Sequence, residues 1–392
     1  MFPRAAVGGL LLSLTLAITK GNLYEGHSLG TPCLPSHVCT LAFVSDNPLV
    51  LRCPHALRRV FWHYHSPARN DDEVLTFSLS RSSLSPALRK AHLRRLQFKS
   101  RLFANKLYIP SPSVQDSGVY TCRIGDAVLA YYQVDVQDAE SIYVSHASLG
   151  ETTLGNATAD LGNGTQAKLF TSWSPWQPCD RCGPPGERKR VGFCYAQVIA
   201  AKDRHMEMLL PCGMARRKHP MLPKRGPELR VEACQAPCNK PSLLTKGEPN
   251  TMPVLVYNTY HPDFQDTIYL RCPTSSIYSP VYWQEGPTKL TRLQLLQRNS
   301  SSESLDEATG GGILLLTFHN ESQRTSYQCY VNGHLTGKFV VTFPSTFSTA
   351  GQFTHTYNII EVLVVGLSLF LVFLMFLSIF QSCRRKQGAS LV

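Results

Sequence analysis

The sequence predicts an all-β, disulfide-bonded region, two β-sandwiches flanking a cysteine-rich segment, carried on one transmembrane α-helix. Three observations predict it. The run Val362 to Phe380 is uncharged, rich in Leu, Val and Phe, and followed at once by Cys383, Arg384, Arg385 and Lys386. Twelve of the 13 cysteines lie ahead of that run. A pattern of Cys, then Trp, then Tyr-x-Cys occurs twice among them, at Cys53 to Cys122 and at Cys272 to Cys329.

The N-terminus carries one charge, Arg4, and then an apolar run from Ala5 to Ile18 ending in small residues. That is the layout of a signal peptide, here residues 1–19, and it implies entry into an oxidising compartment. A buried core helix is the competing reading; the run is too short to span a bilayer. The later run, assigned with its flanks as a transmembrane helix over 359–380, is long enough at about 1.5 Å per residue. The basic cluster after it places a 381–392 tail in the cytoplasm by the positive-inside bias, which makes the topology type I. A lipid-anchor signal is the alternative, but such tails normally lack a basic cluster. Residues 344–358 read as a juxtamembrane stalk.

The first sandwich is placed over 33–138. Leu51-Arg52-Cys53 is followed by Val60-Phe61-Trp62-His63-Tyr64, and later by Asp116-Ser117-Gly118-Val119-Tyr120-Thr121-Cys122. These residues resemble a V-type immunoglobulin domain. The resemblance implies a Cys53–Cys122 bridge between facing sheets, Trp62 packed on it, and a Tyr120 hydroxyl tied to upstream backbone. It also implies a basic partner for Asp116, for which Arg101 is a candidate. The second sandwich, over 253–343, is a degenerate copy. Ile268 to Cys272 alternates like a strand, Tyr282-Trp283 follows, Gly312 to Phe318 reads as another strand, and Tyr327-Gln328-Cys329 closes it. Gln323 and Thr325 stand where the pattern would supply Asp and Gly. The resemblance again implies a Cys272–Cys329 pair.

Between the sandwiches, 139–170 reads as a glycosylated linker and 171–240 as a cysteine-rich segment. The segment holds Trp173-Ser174-Pro175-Trp176, then Cys179-Asp180-Arg181-Cys182-Gly183, then Arg188-Lys189-Arg190 and Cys194, with Cys212, Cys234 and Cys238 beyond. It resembles a thrombospondin type 1 repeat, and that implies Trp173 and Trp176 interleaved with Arg188 and Arg190 in a cation–π stack. It departs from the repeat in the Cys179–Cys182 spacing and in a long polar interval from Tyr195 to Pro211. Cys179, Cys182, Cys194, Cys212, Cys234 and Cys238 allow 15 pairings, and the sequence chooses none. Zinc or thiol redox chemistry at the CxxC is the alternative to disulfides. The expected redox βαβ context is missing and the compartment favours oxidation. The W-x-x-W also resembles a C-mannosylation acceptor at Trp173. Taken in order, the two sandwiches, the middle motif from Trp173 to Tyr195 and the single span resemble the "family with sequence similarity 187" group. That resemblance implies fold and topology and little about function.

Four N-x-[ST] sequons, at Asn156, Asn163, Asn299 and Asn320, mark N-glycosylation sites on the lumenal side. The formal net charge is +12, with Lys and Arg crowded between Arg52 and Lys106 and between Arg188 and Arg230. In this compartment nucleic acid is excluded as a partner and a sulfated glycan is the natural polyanion. The candidate glycan-binding residues are Arg188, Lys189, Arg190, Arg216, Arg217, Lys218, Lys224 and Arg225. A solvated basic surface is the alternative. The span holds no charge, which argues against a signalling adaptor bound inside the membrane. The tail has no Tyr. Cys383 is a candidate for palmitoylation, and Ser390-Leu391-Val392 resembles a class I PDZ ligand.

No G-x-S-x-G, H-E-x-x-H or P-loop is present, so no catalytic residue, cofactor or metal is expected. The sequence predicts a cell-surface recognition or adhesion protein with an extracellular protein ligand. A glycan-binding coreceptor and a structural subunit of a surface complex are the alternatives. Recognition residues are expected in the loops Ser66 to Leu75 and Arg123 to Ala130.

Overall fold

In this computed structural model the described residues are 39–54, 60–67, 74–77, 90–103, 105–162, 164–199, 208–238, 256–260, 267–298, 302–317, 325–342 and 361–379. The signal peptide, the stalk, the tail with Cys383 and Ser390 to Val392, the sequons at Asn163, Asn299 and Asn320, Gln323 and residues 68–73 lie outside them.

Alternation with a period of two builds the first sandwich. Its strands are β1 (Cys39–Val44), β2 (Leu49–Arg52), β3 (Phe61–His65), β4 (Val74–Phe77), β5 (Arg101–Phe103), β6 (Lys106–Ile109), β7 (Gly118–Ile124) and β8 (Ala127–Gln137). A helix, α1 (Ala91–Lys99), precedes β5. The front sheet runs β1-β8-β7-β3-β4 and the back sheet β2-β6-β5, with β1 parallel to β8. Inward residues Trp62, Tyr64, Tyr120, Leu75, Leu107 and Val134 form the core, and Leu93 and Leu96 of α1 are buried with them. Cys53 is bonded to Cys122, and Trp62 lies opposite Cys122 in the β3–β7 register. The Tyr120 hydroxyl donates to the Asp116 carbonyl at 2.7 Å. The partner of the Asp116 carboxylate is Lys99, not Arg101. Lys99 ends α1 beside the turn, whereas the Arg101 side chain points into solvent from the next strand.

Residues 139–170, read above as a linker, are instead part of the middle sheet. Its strands are β9 (Tyr143–His146), β10 (Ala157–Asp160), β11 (Gln166–Trp173), β12 (Gly186–Ile199), β13 (Met208–Pro211) and β14 (Glu228–Cys234). Their order is β10-β11-β12-β14-β9. The 14-residue β12 uses one edge twice, pairing with β14 over Gly186 to Gly192 and with β13 over Tyr195 to Val198. A short helix, α2 (Cys212–Lys218), follows β13. Disulfides join Cys179 to Cys234, Cys182 to Cys238 and Cys194 to Cys212.

The second sandwich repeats the topology of the first. Its strands are β15 (Val256–Tyr260), β16 (Thr267–Arg271), β17 (Val281–Glu285), β18 (Thr288–Leu290), β19 (Glu303–Leu305), β20 (Ile313–Thr317), β21 (Thr325–Val331) and β22 (His334–Val341). They form sheets β15-β22-β21-β17-β18 and β16-β20-β19, with helix α3 (Arg292–Arg298) where the first sandwich has α1. Cys272 is bonded to Cys329. Trp283 donates its indole N–H to the Gly311 carbonyl at 2.9 Å. The Tyr327 hydroxyl contacts the Glu303 carboxylate at 3.2 Å. Beyond it, α4 (Glu361–Ile379) is a 19-residue helix, apolar and long enough to cross a membrane and exposed along its length.

The three units meet in one apolar cluster. Ala42 and Val44 come from the first sandwich, Ala139 from the turn that leads into the middle unit, Val191, Phe193, Tyr195, Leu229 and Val231 from the middle sheet, and Ile277 from the second sandwich. Polar contacts lock the cluster. Asn47 accepts from the Ile277 N–H at 2.7 Å and donates to the Ala308 carbonyl at 2.8 Å. The Val44 N–H donates to the Tyr278 hydroxyl at 2.7 Å. Gln137 exchanges two hydrogen bonds with the Cys194 backbone, at 2.8 and 3.0 Å.

Candidate functional site

The eight basic residues grouped above as a glycan surface do not form one surface. Strand alternation turns Arg188 and Arg190 to one side of β12 and Lys189 to the other. The Arg190 guanidinium lies 4.6 Å from the ring centres of both Trp173 and Trp176, and Arg188 lies 5.0 Å from Trp176. Arg188 also pairs with Glu232. This is an interleaved Trp–Arg–Trp–Arg stack in place of an aliphatic core on that side of the sheet. Lys189 is buried and donates to the Gly310 carbonyl of the second sandwich at 2.7 Å. Burial pushes its amine down to about 7, with the Arg292 charge adding to the effect and Asp180 and Glu187 opposing it. Arg225 is sunk against Glu228 and donates to the Gly155 carbonyl at 2.6 Å. Arg188, Lys189, Arg190 and Arg225 therefore each have a partner within the fold. A count of charges along the chain carries no information on which cations already have partners. Arg217, Lys218 and Lys224 are exposed and Arg216 is half-buried.

Cys179 and Cys182 are held in separate disulfides, which leaves neither thiolate to bind zinc or cycle as a dithiol. Asn156 is exposed just ahead of the edge strand β10, open to a glycan.

Among the described residues, the outer face of the front sheet in the first sandwich presents a set of side chains turned away from the core. Burying Trp62 and Tyr64 forces Phe61, His63 and His65 of β3 outward. The same logic on β7 and β8 turns out Val119, Arg123, Tyr131 and Gln133. Register assembles them into rows. Thr76, His63, Thr121 and Tyr131 lie side by side across four strands, and Val74, His65, Val119 and Gln133 form the next row. His63 Nδ1 is 3.0 Å from Thr76 Oγ1. Partial burial, then Arg123, lowers the pKa of both imidazoles, and the neighbouring His65 adds to the effect on His63. The shift favours the neutral imidazole, with one donor and one acceptor nitrogen, and Nδ1 of His63 already faces Thr76. Phe61 is exposed beside Arg123. The β7–β8 hairpin above them turns at Gly125, whose φ of +56° suits glycine, and residues 125–127 are exposed.

At its other end this face runs into a groove of about 1320 Å³ between the first sandwich and α2. Val119, Gln133, Ser66 and Pro67 line one part of it, the start of α1 another, and Met214 and Arg217 of α2 the far wall. Of the loops singled out in the sequence, the hairpin stands at the end of the face, and Ser66 and Pro67 open the groove. The sequence reading missed the strand faces, although their signal was present: His63 and His65 alternate with two large aromatic core residues.

No family model matches the chain. Curated relatives match it along most of its length. Ig-like V-type domain-containing protein FAM187A of Bos taurus is 25% identical over 393 residues, covering 90% of each chain. The Mus musculus protein of the same name is 24% identical over 391 residues, covering 90% of this chain and 89% of its own. The Rattus norvegicus protein is 26% identical over 348 residues, covering 81% and 78%. Two solved structures are also matched. The N-terminal eight Ig domains of Down Syndrome Cell Adhesion Molecule isoform 1.30.30 cover 80% of this chain and 42% of that one, at 10% identity and a TM-score of 0.20. The extracellular portion of mouse CD200RLa covers 44% and 97%, at 14% identity and a TM-score of 0.19. Scores this low carry no argument about arrangement or ligand. The likeness read from the sequence to the "family with sequence similarity 187" group thus extends over nine-tenths of the chain, an Ig-like domain protein related to FAM187A.

Proposed function

We propose that this chain is a single-pass type I glycoprotein of the plasma membrane that recognises an extracellular protein through the outer face of its first sandwich. The observation that carries the reading is that face itself. It combines Phe61, Tyr131, two imidazoles, Arg123 and Gln133 on three registered rows of one sheet face, outside the apolar core. Aromatic and Arg side chains on a rigid sheet are the composition of protein-binding surfaces. The orientation rests on the basic residues after the span, Arg384 to Lys386, and on a disulfide-rich body ahead of it. A binding role, not a catalytic one, fits relatives named for an Ig-like domain.

The test is proximity labelling on living cells from the full-length protein fused to a peroxidase. A discrete set of neighbouring surface proteins, lost on Tyr131→Ala with Phe61→Ala and retained on Lys338→Ala in the second sandwich, supports the reading. A neighbour set unchanged by the double variant removes it.

A further inference from the structure

The groove at the end of the recognition face has a one-sided charge. His92 and Arg95 come from α1, Lys90 precedes it, and Arg217 and Lys218 end α2. Among the described lining residues there is no Asp or Glu. The buried carboxylate of Asp135 pairs with Arg217 at 4.0 Å from behind the wall, and Asp116 is engaged by Lys99. Between the cationic walls, Val114, Val119, Leu210 and Met214 supply apolar floor.

We infer that this groove binds an extended acidic segment of a protein partner, its carboxylates on the α1 and α2 cations and its apolar side chains on the floor. The inference rests on the recognition reading and names the chemistry of the partner. Three considerations select that occupant. Cations on two facing walls, with no acid among the described lining residues, favour carboxylates and steer them from a distance. A sulfated glycan would use the cations but not Val119 or Met214, since its surface is polar throughout. A second copy of this chain, with 39 Lys and Arg against 27 Asp and Glu, is repelled at long range. The two walls belong to different units, so the groove exists only while the first sandwich and α2 are held together. Gly213 marks how tightly they are held: a Cβ there would sit 2.1 Å from Asp135 Oδ1.

The experiment is fluorescence anisotropy on the full-length protein in detergent, with a short labelled peptide of alternating Glu and Leu. The expected result is saturable binding that weakens with added salt, with at least about tenfold weaker binding to the Gln and Leu counterpart. Arg95→Glu and Lys218→Glu, one on each wall and both exposed, should each weaken binding about tenfold, while Lys338→Glu leaves it unchanged. Equal affinity for the Gln peptide, or no effect from either wall variant, overturns the proposal. So does displacement of the peptide by heparin together with tighter binding of heparin itself, which would make a glycan the occupant. If the peptide fails to bind but cell-surface neighbours still depend on Tyr131 and Phe61, the groove proposal falls and the recognition reading stands.

Discussion

Lys189 sits between two arginines on β12, yet it alone faces the junction with the second sandwich. Its amine donates to Gly310 in a site that also holds Arg292, with Glu187 and Asp180 nearby. Glu187 is itself engaged by the N–H groups of Arg292 and Leu293, at 3.1 and 2.9 Å. The folded value near 7 lies below the ordinary 10.5 of an unfolded lysine. Between those values the unfolded chain binds more protons, so this group makes stability rise with pH across that window. Below about 7 the amine is charged in both states and its full burial cost remains. Lys189→Met removes the titration while keeping length. Relative to the variant, the native protein should therefore gain thermal stability as pH is raised from below 7 towards 10.5. A Tm difference that stays constant across the window would contradict the burial argument. Gly310 is the complementary probe. Its φ is +64°, and an added Cβ would lie 2.8 Å from Lys189 Nζ and 3.1 Å from the Ile277 backbone. Gly310→Ala is expected to cost about 1–3 kcal/mol, read by denaturant unfolding.

At the scale of elements, the Trp–Arg stack on β11 and β12 replaces aliphatic packing on one side of the middle sheet. Each guanidinium–indole contact is worth about 0.5–2 kcal/mol, depending on how dry it is. Arg190 touches two rings, so Arg190→Lys, which keeps the charge but loses the plane, should cost about 1–2 kcal/mol. The change should appear in tryptophan fluorescence as well as in the unfolding midpoint, and an unchanged emission spectrum would remove the stack from the account. This element was legible in the sequence because Trp173, Trp176, Arg188 and Arg190 fall within 18 residues and carry the W-x-x-W and R-x-R spacings of the repeat they resemble. The Cys–Trp–Tyr–Cys frames of both sandwiches were legible from their order along the chain, which resembles the immunoglobulin pattern. Residues 139–170 were not. Their strand β10 is an edge whose apolar face is only two alanines, Ala157 and Ala159, and β9 joins in parallel to β14, far away in sequence. The signal that was available, Ala167 and Leu169 buried at a spacing of two on β11, was masked by the surrounding Thr, Gly and Asn. Arg101 was misassigned to Asp116 because α1, which carries Lys99 to that carboxylate, interrupts what would otherwise be a continuous run of strands.

At the scale of the whole molecule, the second sandwich does not hang from the middle segment as a separate bead. Its Ile277 is fully buried among residues of the other two units, and Tyr278 caps the first strand of the outer sandwich. A polar clamp surrounds that contact, with Asn47 holding both Ile277 and Ala308, and Gln177 donating to the Ile277 carbonyl at 2.7 Å. Shared burial of this kind couples the stability of the parts, since none keeps its full apolar core when another opens. The three units should therefore melt together in one transition in the intact protein. Truncating Ile277 to Ala leaves a cavity where the units meet and is expected to cost about 2–5 kcal/mol. Because the cavity lies between units and not inside one, its effect should be uneven. Calorimetry of the variant should show the single endotherm broadening or dividing, with protease cutting the segments between units sooner than those within them. A purely local role for Ile277 predicts a lower midpoint with an undivided endotherm. The same coupling fixes the groove between the first sandwich and α2, so Ile277→Ala should also weaken the acidic peptide, although that side chain does not line its site.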